Sequence, residues 1–318
     1  MTIKYNKNFI LIIFISLIYS FLVGSGFYGY GHDYYEAYYK ENINWGGLTD
    51  KLGYRISTLT IYNKHIGVYV VSGLLAFSTG KLIEVFLKNK KFYSTIIFIL
   101  IYIMVLHTWP IIMSTSNAMR QGVTMSLVFL CLVNLLNKKY FLAFFFVFLS
   151  VFTHRSGIFY LLVFVNVFIL KERLNTFNLT KIRILIFFIY ILSLQIFLFY
   201  YGRYFFGEDA NTRIIRGDFR YQFFIISLIF ISIYTYKFKN LISSGLNMFI
   251  YLFSFFSIPI LFIGLNWQYE RLMMMMTIPY VLVLSSIFQR RYYAFLLICL
   301  FSLLLILTIY QGMFQSLK

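Results

Sequence analysis

The chain has 318 residues, of which 61% are hydrophobic, 22% aromatic and only 12% charged, with a mean hydropathy of +0.79 and a net charge of +18. A water-soluble domain of this length needs far more polar surface to cover its core, so the composition excludes one and points to a polytopic membrane protein. A nucleic-acid-binding arm is excluded as well, because the 28 Lys and Arg are scattered through short loops between apolar runs.

Lys4 and Lys7 precede an apolar run from Phe9 to Val23 that resembles a signal peptide, with small residues at Gly24 and Ser25. It is expected to remain as an uncleaved first span, because more spans follow. Counting that run, apolar stretches lie near 9–24, 66–87, 92–113, 117–136, 140–154, 156–170, 183–201, 221–236, 245–264, 271–288 and 293–311. They predict about eleven spans (10 to 12), each of roughly the 15 to 22 residues that the hydrocarbon core requires. The fold class expected is all-α: a single transmembrane domain over 1–318, with outer-face loops 24–65 and 202–220 carrying interfacial helices. The fifth and sixth runs are separated only by His154 to Gly157, so 140–170 forms either two spans or a re-entrant hairpin. Pro110 and Pro259 sit near the outer ends of spans, where a kink opens a cavity. Cys131 and Cys299 fall inside apolar runs and are expected as small core residues, with no disulfide framework or metal site.

Lysine placement orients the chain. Lys4, Lys7, Lys88, Lys90, Lys91, Lys138, Lys139, Lys171, Lys181, Lys237 and Lys239 fall on alternate loops, which are therefore cytoplasmic. This puts the N-terminus in the cytoplasm and the C-terminus on the outer side. Arginine breaks the pattern: Arg55, Arg120, Arg155, Arg203, Arg213, Arg216, Arg220 and Arg271, eight of the twelve, fall on the outer side. A guanidinium grips phosphate or carboxylate with two parallel hydrogen bonds, whereas an ammonium is a point charge. The sequence thus gathers guanidinium groups for an anionic ligand at the outer interface.

Four stretches carry the side chains for chemistry. In Gly31-His32-Asp33-Tyr34-Tyr35-Glu36, Asp33 reads as a general base on a substrate hydroxyl or as part of an aromatic interfacial helix, and the second reading is preferred for Glu36. In Ser114 to Gln121, a helix starting at Asn117 would place Asn117, Arg120, Gln121 and Thr124 on one face, so a buried polar cavity is expected there. His154, in Thr153-His154-Arg155-Ser156, reads as a base, a phosphate ligand or a polar cap at a tight turn. In the turn Asn266 to Arg271, Glu270 pairs with an arginine and leaves Arg271 for ligand. Arg213, Arg216 and Arg220, at i, i+3, i+7, would share a face of a short helix, while Glu208 and Asp209 read as solvated loop. No Walker sequence, no GxGxxG after a strand and no paired Cys/His spacing is present, so neither nucleotide nor metal is expected as a cofactor.

Asn117-Ala118-Met119-Arg120-Gln121 at a helix start, followed about 33 residues on by His154, resembles the EpsG-like family of Wzy-type polysaccharide polymerases. Gly31-His32-Asp33 and Glu270-Arg271 are similar to that family too, while Arg155 stands where it usually has a small or aromatic residue. The resemblance implies a GT-C-like glycosyltransferase of the bacterial inner membrane that polymerises O-antigen-type repeat units carried on undecaprenyl diphosphate. Its implied partners are that lipid-linked oligosaccharide, membrane lipids, a chain-length regulator and a flippase, and no nucleic acid. On this reading Arg120, Arg271, Arg155, Arg213 and Arg216 hold the diphosphate, Asp33 and His154 are the candidates for the base, and Asn117, Gln121 and Glu270 support them. A flippase, an O-antigen ligase and an acyltransferase using His154 are the alternatives; the flippase calls for an internal repeat that the sequence lacks.

Overall fold

A computed structural model describes residues 7–31, 34–35, 51–57, 66–88, 90, 93–175, 181–206, 221–237, 244–263, 265–287 and 292–310. Among the described residues the regular structure is helical, in thirteen helices: α1 (Lys7–Gly24), α2 (Lys51–Ser57), α3 (Ile66–Leu87), α4 (Thr95–Leu106), α5 (Trp109–Ser116), α6 (Met119–Leu136), α7 (Tyr140–Val151), α8 (Ser156–Asn175), α9 (Lys181–Phe206), α10 (Tyr221–Tyr236), α11 (Gly245–Phe262), α12 (Asn266–Ile287) and α13 (Tyr293–Tyr310). Each predicted apolar run coincides with a helix or a helix pair.

Among the described residues, five helices are long and apolar enough to cross a membrane: Ile66–Leu87, Met119–Leu136, Ile184–Tyr201, Gly245–Phe262 and Tyr293–Tyr310. A sixth span arises if α4 and α5, bent by 57° at their junction, count as one. Shorter apolar helices cover Asn8–Gly24, Tyr140–Val151, Ser156–Leu170 and Gln222–Tyr236. Large apolar side chains such as Ile96, Phe141, Phe295 and Leu303 lie exposed on helix surfaces, which suits a hydrocarbon solvent and not water.

The described residues divide into two compact units, 1–157 with 278–318, and 158–277. In the first, α3 packs on α1 and α6, and α6 packs on α7. Side-chain hydroxyls tie the helices by bonding to backbone carbonyls: Ser20 Oγ donates to Tyr69 O at 2.6 Å, and Tyr102 Oη donates to Ala76 O at 2.7 Å while lying 2.9 Å from Ser16 Oγ. Lys81 and Glu84, i and i+3 on α3, form an ion pair at 2.8 Å in an otherwise apolar helix, and the Lys81 ammonium sits 4.8 Å from the centre of the Phe9 ring.

The bend between α4 and α5 has a local cause. Thr108 is extended, α5 restarts with Pro110 in its first turn, and the orphan N–H of Trp109 is taken by Thr308 Oγ1 of α13 at 2.8 Å. Next to the break, His107 donates from Nδ1 to Ile103 O at 2.7 Å and receives the Tyr28 hydroxyl at Nε2, also at 2.7 Å. Burial pushes the Tyr28 phenol up to about 12. The chain leaving α1 is thereby pinned to the break.

In the second unit α11 packs on α9 and α10. Tyr160 stacks on Phe253 with ring centroids 5.6 Å apart and donates to Leu272 O at 3.0 Å. Tyr190 Oη donates to Asn166 Oδ1 at 2.6 Å and Tyr234 Oη to Asn247 Oδ1 at 3.0 Å. Cys131 is buried as expected, whereas Cys299 is exposed on α13 among apolar side chains, because that helix turns most of its surface outward.

Candidate functional site

The polar stretch around Arg120 lies at the start of α6, the most enclosed helix of the first unit. Fifteen of its eighteen residues are buried, so protein and not lipid surrounds its opening turn. Arg120 is 9% exposed and Gln121 2%, with both amide atoms of Gln121 lacking a hydrogen-bond partner. A buried amide left in this way is costly, which is the usual sign of a site that a polar group or water completes.

One expectation is corrected here. Asn117 does not start α6: it is the C-cap of α5, with φ −125° and ψ −72°, and its N–H bonds back to Met113 O. The helix restarted at Pro110 runs on through Ser114, Thr115 and Ser116, whose hydroxyl-bearing side chains are buried; Thr115 and Ser116 donate back to Ile112 O. The face shared along α6 is therefore Arg120, Gln121 and Thr124, with Asn117 on the corner before them. That corner receives the chain from α1. Gly31 N–H donates to Ser116 O at 3.1 Å, and a Cβ at Gly31 would stand 2.3 Å from Asn117 Cγ, so a side chain at position 31 would displace Asn117. Asp33, two residues further on, lies outside the described residues, as do Glu36, Arg213 and Arg216.

His154 reaches the same region from α7 and α8. Thr124 Oγ1 lies 2.7 Å from Thr153 Oγ1, so one hydroxyl donates to the other, and the hydroxyl that accepts donates to its own carbonyl, Arg120 O at 3.0 Å from Thr124 or Ser150 O at 2.8 Å from Thr153. A hydroxyl pair thus joins the Arg120 turn to the residue before His154. Replacing either Thr with Val is expected to cost about 1 kcal/mol, and replacing both less than the sum of the two, because each single change strands a partner. A thermal-unfolding cycle on the purified protein checks this, and additive losses would show that the pair is not coupled.

The 140–170 stretch is two helices joined by the turn Phe152 to Arg155, and α7 has only 12 residues, too short to cross a hydrocarbon core of about 30 Å even when untilted. α2 closes on this turn, with Leu52 N–H donating to Phe152 O at 3.1 Å. His154 is 7% exposed, and Arg155 beside it is half-buried. The His154 ring bonds forward into α8: Nδ1 receives Ser156 N–H at 3.2 Å and lies 2.8 Å from Ser156 Oγ.

Arg120, Gln121, Asn117, His154 and Arg155 all belong to the first unit, and Glu270 and Arg271 to the second. The Asn266 to Arg271 segment is also not the expected turn. With no Gly or Pro to stop it, α12 begins at Asn266, and Glu270 and Arg271 stand half-buried in its second turn. Tyr269 anchors that turn, its hydroxyl 3.3 Å from Ser227 Oγ. Sequence reasoning gave no part to Ser156 or to the Lys81–Glu84 pair; the pair was visible as opposite charges three residues apart.

No curated protein and no solved structure matches the chain. The model of the EpsG family does match, over residues 8–317. Members of that family are Wzy-like polymerases, which suggests a membrane polysaccharide polymerase with a glycosyltransferase-like activity on a lipid-linked oligosaccharide. By a match over nearly its whole length, this chain belongs to the EpsG family.

Proposed function

We propose that the protein transfers a growing glycan from undecaprenyl diphosphate to the terminal sugar hydroxyl of another lipid-linked repeat unit, on the periplasmic face of the inner membrane. The observation that carries this reading is the buried guanidinium of Arg120, tied through Thr124 and Thr153 to the turn holding His154 and Arg155. In the reaction the acceptor oxygen bonds to the anomeric carbon, the bond from that carbon to the diphosphate oxygen breaks, and the diphosphate leaves with the electron pair. Charge grows on the leaving group as the acceptor loses its proton, so fixed guanidinium groups stabilise the transition state more than the ground state. Arg120 and Arg155 are assigned to the diphosphate, with Arg271, Arg213 and Arg216 as further candidates, and Asn117, Gln121 and Glu270 as supporting groups. Asp33 and His154 are the candidates for handling the acceptor proton.

Comparing surface glycans with and without the gene tests the reaction class. A polymerase predicts that loss of the gene leaves single repeat units on the surface. Units stranded on the inner leaflet would indicate a flippase, and full-length polymer that stays unattached would indicate a ligase.

A further inference from the structure

The start of α8 determines which nitrogen of His154 carries a proton. Ser156 N–H points at Nδ1 from 3.2 Å, and a backbone N–H can only donate. Nδ1 must therefore present its lone pair. The Ser156 hydroxyl, 2.8 Å from the same nitrogen, can rotate to donate as well, whereas a proton on Nδ1 would be driven against the N–H of Ser156.

We infer that the first turn of α8 holds His154 as the neutral tautomer protonated at Nε2, with Ser156 as the positioning residue, so that His154 supplies a hydrogen-bond donor and not a proton acceptor. The inference rests on the proposed polymerase reading only for what receives the hydrogen bond, an oxygen of the departing diphosphate. His154 then neither gains nor loses a proton during turnover. The two candidates for the acceptor proton separate, with the carboxylate of Asp33 left as the base. The contact from Thr153 to Thr124 ties the turn that carries this donor to the turn that carries Arg120, so a neutral donor and a guanidinium serve one anion.

The test uses the full chain in lipid nanodiscs with 15N-labelled histidine, reading both ring nitrogens by long-range 15N–1H correlation. The chain has 4 histidines, and the resonances lost in His154→Gln identify those of His154. A bare Nδ1 with a protonated Nε2 is expected; a protonated Nδ1, alone or in an imidazolium, overturns the assignment. Ser156→Pro deletes the N–H at a first-turn position where proline is tolerated, and should move the Nδ1 resonance while Nε2 stays protonated. An unmoved Nδ1 resonance would remove Ser156 from its positioning role.

The role is read separately, from glycan length in cells. The side-chain amide of His154→Gln retains a donor near the place of Nε2 but no base, so its polymerisation should stay within about tenfold of the parent, while His154→Ala falls by about 100-fold or more. Equal loss in the two variants contradicts the donor role. If deleting the gene leaves glycan length unchanged, the polymerase reading fails and the donor role with it, whereas the tautomer still stands or falls on the spectrum.

Discussion

Gly122→Ala is expected to prevent the first unit from assembling as it does in the native chain. The added Cβ would stand 2.0 Å from the carbonyl oxygen of Ser114 and 2.9 Å from Val71 Cγ1. The first of these is backbone, so no rotamer change relieves it. α6 has to move off α5, and the move disturbs the turn that carries Arg120 and Gln121. Overpacking of this kind costs about 3 kcal/mol when the surroundings cannot yield. Gly73→Ala is the control: its Cβ would meet only the Ser20 side chain, at 3.4 Å, which is ordinary contact. Monodisperse yield after detergent extraction, with thermal unfolding of what is recovered, separates the two. Equal behaviour would mean that α5 and α6 are not in the close contact described.

Arg120→Ala should have the largest effect on activity. The protein is expected to reach the membrane at normal level, with polymerisation reduced by about 10² to 10³, as when one preorganised donor to a developing charge is removed. The surface glycan would then consist of single repeat units. Arg120→Lys keeps the charge but loses the planar fork, and an intermediate defect of about tenfold is expected. Membrane abundance and glycan length measured in the same cells check this, and normal long chains in Arg120→Ala would remove the guanidinium from the site.

The helical architecture is legible in the apolar runs because a span is apolar whether it faces outward, as α13 does, or is enclosed by protein, as α6 is. Helix boundaries are less legible, and Asn117 shows why. Asparagine before an apolar run is a good N-cap, so the sequence suggests a start there. The chain instead restarts at Pro110 and uses Asn117 to end a short helix that hydropathy alone merges with its neighbours. At Asn266 the reverse holds: a polar run that reads as a turn is the opening of a helix.

For the site, Arg120 and His154 stand out because charge and imidazole are conspicuous between apolar runs. Their connection does not, since the Thr124–Thr153 contact depends on how α6 meets a four-residue turn. The contact from the His154 ring to Ser156 N–H is hidden for a related reason. It spans two residues but exists only for one set of backbone angles in the turn. Lys81 and Glu84 are legible as opposite charges three residues apart, although averaging hydropathy over a long apolar helix passes over them.

The most direct measurement supplies the purified full chain, reconstituted in liposomes, with undecaprenyl-diphosphate-linked repeat units and no nucleotide, and resolves the glycans by length. A ladder of lengthened chains is expected, with one undecaprenyl diphosphate released for each new glycosidic bond and the ladder lost in Arg120→Ala. Units that are only moved across the bilayer or hydrolysed, with no lengthening by a folded protein, would contradict a polymerase.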